Sequence, residues 1–133
     1  MAGRYHDVHS DSYEANSDLS AKQFYCVKMV GLDTIDVCSA ATDDCCGILQ
    51  NDPKQGWAAN VMHLGTCKAV SDGSGTAISP GDLVGTNASG MLVKKATADY
   101  GIVGQALDAS NAQGIIIGVR LFGNSFGYRT LAG

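Results

Sequence analysis

The chain comes close to saying one phrase twice. Residues 46–65 read CGILQNDPKQGWAANVMHLG, and residues 103–123 read VGQALDASNAQGIIIGVRLFG. With Gly56 set against Gly114, two nine-residue runs follow, WAANVMHLG and IIIGVRLFG, each closing on an apolar residue and a glycine. Gly47 answers Gly104 once one gap is admitted, and upstream Ala41-Thr42 answers Ala96-Thr97. Each copy is a short apolar run, a polar turn and a second apolar run. Repeated hairpins of this kind build small barrels and sandwiches. The expected fold is therefore all-β, a small barrel or sandwich of short strands with an internal hairpin repeat. The repeated unit pairs no nucleophile with a base, so it argues for a scaffold before an active site.

The rest of the chain fits that frame. No long stretch has helical periodicity. AKQFYCVKMV (21–30) is rich in β-formers, Gly31 breaks it, and TIDVCSA is a second short strand. Residues 51–56 form a turn by composition, and WAANVMHLGTCKAV reads as one or two strands. LVGTNASGMLVKKA is a hairpin with Asn87-Ala88-Ser89-Gly90 at its tip. Residues 108–113 suit a single helical turn. A length of 133 residues suits one domain with tails. The expected boundaries are an extended N-terminal arm at 1–20, the β domain at 21–123 and a C-terminal tail at 124–133 carrying Phe126 and Tyr128.

Residues 1–20 are polar, with Tyr5, Val8, Tyr13 and Leu19 as isolated apolar points. Such a segment buries too little surface to fold alone. It is expected to order on a partner, with those four residues as anchors. Ile115, Ile116 and Ile117 are consecutive, and successive strand residues face opposite ways, so at least one must point away from the core. Together with Trp57 they are the expected oligomer interface. Charged residues make up 17% of the chain, below the roughly 25% of ordinary domains, which suggests a surface facing other protein. A net charge of −4, with no basic cluster beyond Lys94-Lys95, argues against nucleic acid as a partner. No apolar run is long enough for a membrane span, and the N-terminus does not read as an export signal.

Candidate chemistry is thin. The five cysteines are an odd number without an export signal, so reduced thiols filling a core are expected. Cys45-Cys46 would face opposite sides of a strand and make a poor zinc pair. His6 and His9, with Asp7 and Asp11, offer at best a weak chelate in the arm, and His63 has no nameable partner. Ser74 lies in a glycine loop, and neither GxSxG, GxGxxG nor GxxxxGK[ST] occurs. Asp33, Asp36, Asp43 and Asp44 lack the ligand ladder of a calcium loop. The expectation is a non-enzymatic protein without cofactor or metal.

One resemblance emerges from the second half. GDLVGTNASGMLVKKAT followed by YGIVGQALDASNAQGIIIGVRLFG resembles the small tailed-phage capsid decoration (cement) proteins. The matching positions are Gly81, Asp82, Val84, Gly90 and Val93, then Gly104, Ala106, Ala109, Gly114, Ile116, Gly118 and Arg120 to Phe122. The likeness covers residues 80–123 and reaches 37–65 through the repeat, where Cys, Trp and His depart from the pattern. It implies a β-rich, non-enzymatic virion protein on the capsid exterior, assembled in the host cytoplasm. It also implies a homotrimer that clamps the major capsid protein. Two other readings stand beside it: another virion component, such as a head fibre base or tail protein, and a small β-barrel carbohydrate-binding module with Trp57 as its stacking platform.

Overall fold

The protein is represented by a computed structural model that describes residues 7–95 and 101–123, with side chains from residue 10. The described residues form nine strands: β1 (Asp7–Ala15), β2 (Cys26–Gly31), β3 (Thr34–Val37), β4 (Gly47–Leu49), β5 (Ala58–Asp72), β6 (Leu83–Thr86), β7 (Leu92–Lys94), β8 (Ile102–Ala106) and β9 (Gln113–Phe122). The described residues contain no helix, and the fold is an all-β small barrel.

The strand pairings close two five-strand circuits that share β5. The first runs β1-β3-β2-β4-β5 and returns to β1; the second runs β5-β7-β6-β8-β9 and returns to β5. The circuits match strand for strand. β1–β3 and β5–β7 are both parallel, and the other pairs around each circuit are all antiparallel. The near-repeat in the sequence is the β4–β5 hairpin of one circuit and the β8–β9 hairpin of the other. Its glycines do equivalent work. Gly56 and Gly114 sit at φ +82 and +87, and Gly65 and Gly123 at φ +113 and +98, where a side chain would be strained. A Cβ on Gly47 would strike the Met62 carbonyl, and one on Gly104 the Arg120 carbonyl.

Each circuit has its own core. Val27, Ile35, Leu49, Ala59 and Val61 fill the first, and Val84, Leu92, Val103, Ile117, Val119 and Leu121 belong to the second. β5 feeds both. Ala59 and Val61 face the first core, Cys67 and Ala69 the second, and the facing switches around the positive-φ Gly65. Cys26, Ile48 and Met62 point out of the first circuit into the second core, so the two packings are continuous.

Of the two readings of the run after Gly56, the single strand holds: Ala58–Asp72, 15 residues, with Trp57 just before it. Two expectations change. Residues 108–113 hold no helical turn; Ser110 instead bridges Ile78. Most importantly, residues 7–15 form a strand inside the domain's own sheet, antiparallel to β5 and parallel to β3. Leu19 is 1% exposed in the first core, and its amide donates to the Pro53 carbonyl at 2.9 Å. Leu19 is thus a core residue and not an anchor for a partner. The strand edge assigned to a partner is supplied by β5, whose backbone pairs regardless of how polar β1 is.

Candidate interaction surfaces

The expected interface residues separate. Trp57, just before β5, is 61% exposed, and Ile115 and Ile116 at the start of β9 are also exposed. Ile117 is 2% exposed inside the second core, which removes it from any interface. Val70 pairs with Ile116, so Trp57 and the isoleucines lie at opposite ends of β5. Tyr13 is half-buried against the first core. Val8 lies in β1. Tyr5, Phe126 and Tyr128 lie outside the described residues.

One surface gathers at the end of the first circuit. The β2–β3 turn places Leu32 at its tip, 92% exposed. Asp33 follows with φ +52, and its carbonyl accepts from the Glu14 amide at 2.7 Å. This links the turn to β1, while the Ala15 amide reaches the Trp57 carbonyl at 3.0 Å. Between them lies a cleft of about 430 Å³ lined by Tyr13, Glu14, Leu32, Asp33 and Trp57 among others. The Lys54 ammonium stands 5.6 Å from the Trp57 ring centre. Burial, then the negative charge of Asp11, pushes the Tyr13 phenol up, with a smaller push from Asp33. The surface is apolar at its anchors, with the carboxylates of Glu14 and Asp33 beside them and the Lys54 ammonium over Trp57.

The second surface is the outer face of β5 and β9. Leu64 stands opposite Phe122, Thr66 opposite Arg120 and Val70 opposite Ile116. Leu64, Phe122 and Ile116 are exposed, and so are Lys68 and Arg120. Beside this face runs a groove of about 320 Å³, with Phe24, Met62, Thr66 and Lys68 in its walls. Phe24 is held at φ +72 by its amide on the Leu49 carbonyl (2.7 Å) and its carbonyl on the Val70 amide (2.9 Å).

The polar residues singled out in the sequence have structural work. His63 does have a partner: its Nε2 lies 3.0 Å from Asp11, a carboxylate 3.5 Å from the Tyr13 hydroxyl, so the pair ties β5 to β1. Burial opposes the charge on Asp36, yet hydrogen bonds from Asn16, Ser17 and the Val37 amide hold its carboxyl below the usual range. Asp43 receives the Ser39 and Ala40 amides and pairs with Lys28 at 3.0 Å. Ser74 closes a turn on Asp72. All five cysteines are free thiols, four of them buried. A hydrogen bond to Cys45 and burial raise Cys38, a hydrogen bond to Cys26 and burial raise Cys45, and burial brings Cys46 to about 12. Thiols held neutral in this way are poor nucleophiles. Among the described residues no group of His, Cys, Asp or Glu has the arrangement of a metal site.

Sequence reasoning missed Leu32, Phe24 and the Leu64–Phe122 pair. Leu32 left a readable signal, a leucine in a Gly-Leu-Asp turn where polar residues are usual. Phe24 left none, because its importance lies in its backbone angle.

No protein-family model matches the chain, and no curated protein matches it. Among solved structures the chain is similar to the N base of the head fiber protein gp8.5 of bacteriophage phi29. The TM-score is 0.64 at 17% identity, over 89% of this chain and 97% of that one. At that identity the likeness is one of fold.

Proposed function

We propose that this chain is a non-enzymatic structural component of a tailed-phage virion. It seats on the outer surface of an icosahedral head, contacts the major capsid protein and associates with itself as a homotrimer. The observation that carries this reading is the fold shared with a head fiber base over 97% of that base. That extent favours a fibre base over a cement protein. The decoration-protein likeness of residues 80–123 points to the same place on a particle. A protein that binds the assembled lattice in preference to its separate subunits also stabilises the lattice by mass action. The absence of a paired nucleophile and base in the sequence supports a role without turnover.

Co-sedimentation with heads lacking the protein tests this. Saturable binding to heads, with none to unassembled capsid subunits, is the expected result. No binding at any concentration, or a catalytic turnover abolished by one Ser, Cys or His substitution, overturns it. The exposed Trp57 beside the carboxylates of Glu14 and Asp33 favours carbohydrate binding as the second reading. Saturable quenching of the single tryptophan by a neutral oligosaccharide is its signature.

A further inference from the structure

The turn between β2 and β3 departs from ordinary turn chemistry. Tips of tight turns carry small or polar residues, whereas Gly31-Leu32-Asp33 exposes 92% of a leucine. The second circuit shows what such a tip can do. Its counterpart, the Asn87–Gly90 turn between β6 and β7, lies against the first circuit. The Gly90 carbonyl accepts from the Cys26 amide at 2.8 Å, and a Cβ added to Gly90 would meet Val37. Among the described residues no further circuit lies against the tip bearing Leu32.

A candidate receptor lies on the same molecule, beyond its own tip's reach. The groove beside β5 has Phe24 and Met62 as apolar walls and Gln50, Asn60, Thr66 and Lys68 as polar ones, with Arg120 opposite Thr66. Its volume of about 320 Å³ is ample for a leucine side chain. Extended β2 carries the chain from near Phe24 to Leu32, roughly 20 Å for six residues at about 3.3 Å each. The nearest charges are of opposite sign: Asp33 beside Leu32, with Glu14 in the same cleft and Lys54 further off on Trp57, against Lys68 and Arg120 at the groove. Finally, Asp33 and Phe24 are the two non-glycine residues with positive φ among the described residues. Backbone strain persists where surrounding structure enforces it, and it concentrates at binding sites.

The geometry points to a head-to-tail contact between copies of this chain. Leu32 of one copy fills the groove of the next, and Asp33 faces Lys68 and Arg120. Such a contact joins two different surfaces, so each copy keeps one tip and one groove to offer until a ring closes. This gives the self-association in the proposed function its surfaces. It is tested without heads, so that pairing between copies and binding to heads stand or fall separately.

The experiment is complementation, read by sedimentation velocity on the full chain with circular dichroism as the fold check. Leu32→Asp removes the tip, and its exposure leaves the fold unharmed. Thr66→Trp fills the groove; should it unfold, Lys68→Glu reverses the charge there instead. The wild type is expected as an oligomer, and each variant alone as a 13.8 kDa monomer. An equimolar mixture of the two variants retains one intact tip and one intact groove, so it should give a dimer and stop there. A monomeric wild type, an oligomeric Leu32→Asp variant or a mixture that stays monomeric overturns the contact.

Discussion

At the scale of single residues, exposure separates roles that the sequence leaves equal. Leu19 and Trp57 are both apolar residues next to polar segments, yet one is 1% and the other 61% exposed. Leu19→Ala should cost about 2–5 kcal/mol, as for other buried leucines. Trp57→Ala should shift stability by less than about 1 kcal/mol, since it empties no core space. Urea melts of the two variants check both values. The thiols give a prediction in pH. Burial moves Cys46 from 9.0 to about 12, and Cys38 and Cys45 move the same way. In the unfolded chain these thiols ionise first, so above about pH 9 the unfolded state binds fewer protons than the native one. Stability is then full below pH 9 and falls as pH rises towards 12. Under reducing conditions the urea midpoint should drop between pH 8 and about pH 10. Cys46→Ala should drop less steeply, having lost one of these groups; a wild-type midpoint flat across that range contradicts the assignment.

At the scale of elements, the repeat makes paired predictions. Gly47 and Gly104 hold equivalent places in β4 and β8, each against a carbonyl of the facing strand. Gly47→Ala and Gly104→Ala should therefore destabilise alike, by about 1–3 kcal/mol from overpacking, because backbone yields less readily than a side chain. Gly56→Ala and Gly114→Ala meet open space and should suffer only the smaller strain of a positive φ. Thermal melts of the four variants rank them. This correspondence was legible in the sequence because it is written in glycines, whose reasons are local. The strand character of β2, β3, β6 and β7 was legible too, from β-formers broken by glycine. β1 was not. Its sequence, DVHSDSYEA, shows little apolar alternation, since its place depends on backbone pairing to β3 and β5 and on the inward Tyr13 and Ala15. The same polarity that suggested a free arm fits a strand paired on both sides. Deleting residues 2–18 removes β1 and opens the first circuit, so the product should lose cooperative folding by circular dichroism. A folded product would show that the first circuit closes without β1.

At the scale of the whole molecule, the shared strand decides how the two circuits behave. Two cores invite the view of two small domains, each marginal by itself. The structure argues against separate folding. β5 completes both circuits, and the second core takes Cys26, Ile48 and Met62 from the outer side of the first. Opening either circuit exposes side chains that belong to the other, so partial unfolding gains little chain freedom while losing packing in both. Val61 and Val119 make the test, because they are fully buried, repeat-equivalent, and each faces a different core. Val61→Ala and Val119→Ala should each lower stability by about 1–3 kcal/mol while leaving one unfolding transition with an unchanged urea slope. Amide hydrogen exchange carries the sharper reading. If the circuits unfold together, Val119→Ala will speed exchange of the slowest amides in β2 and β4 as much as in β8 and β9. Acceleration confined to β6 through β9 would instead mean two units that merely touch. That outcome would also weaken the proposed contact between copies, since a contact from Leu32 at one end to the groove beside β5 transmits position between copies only if one stiff body joins them.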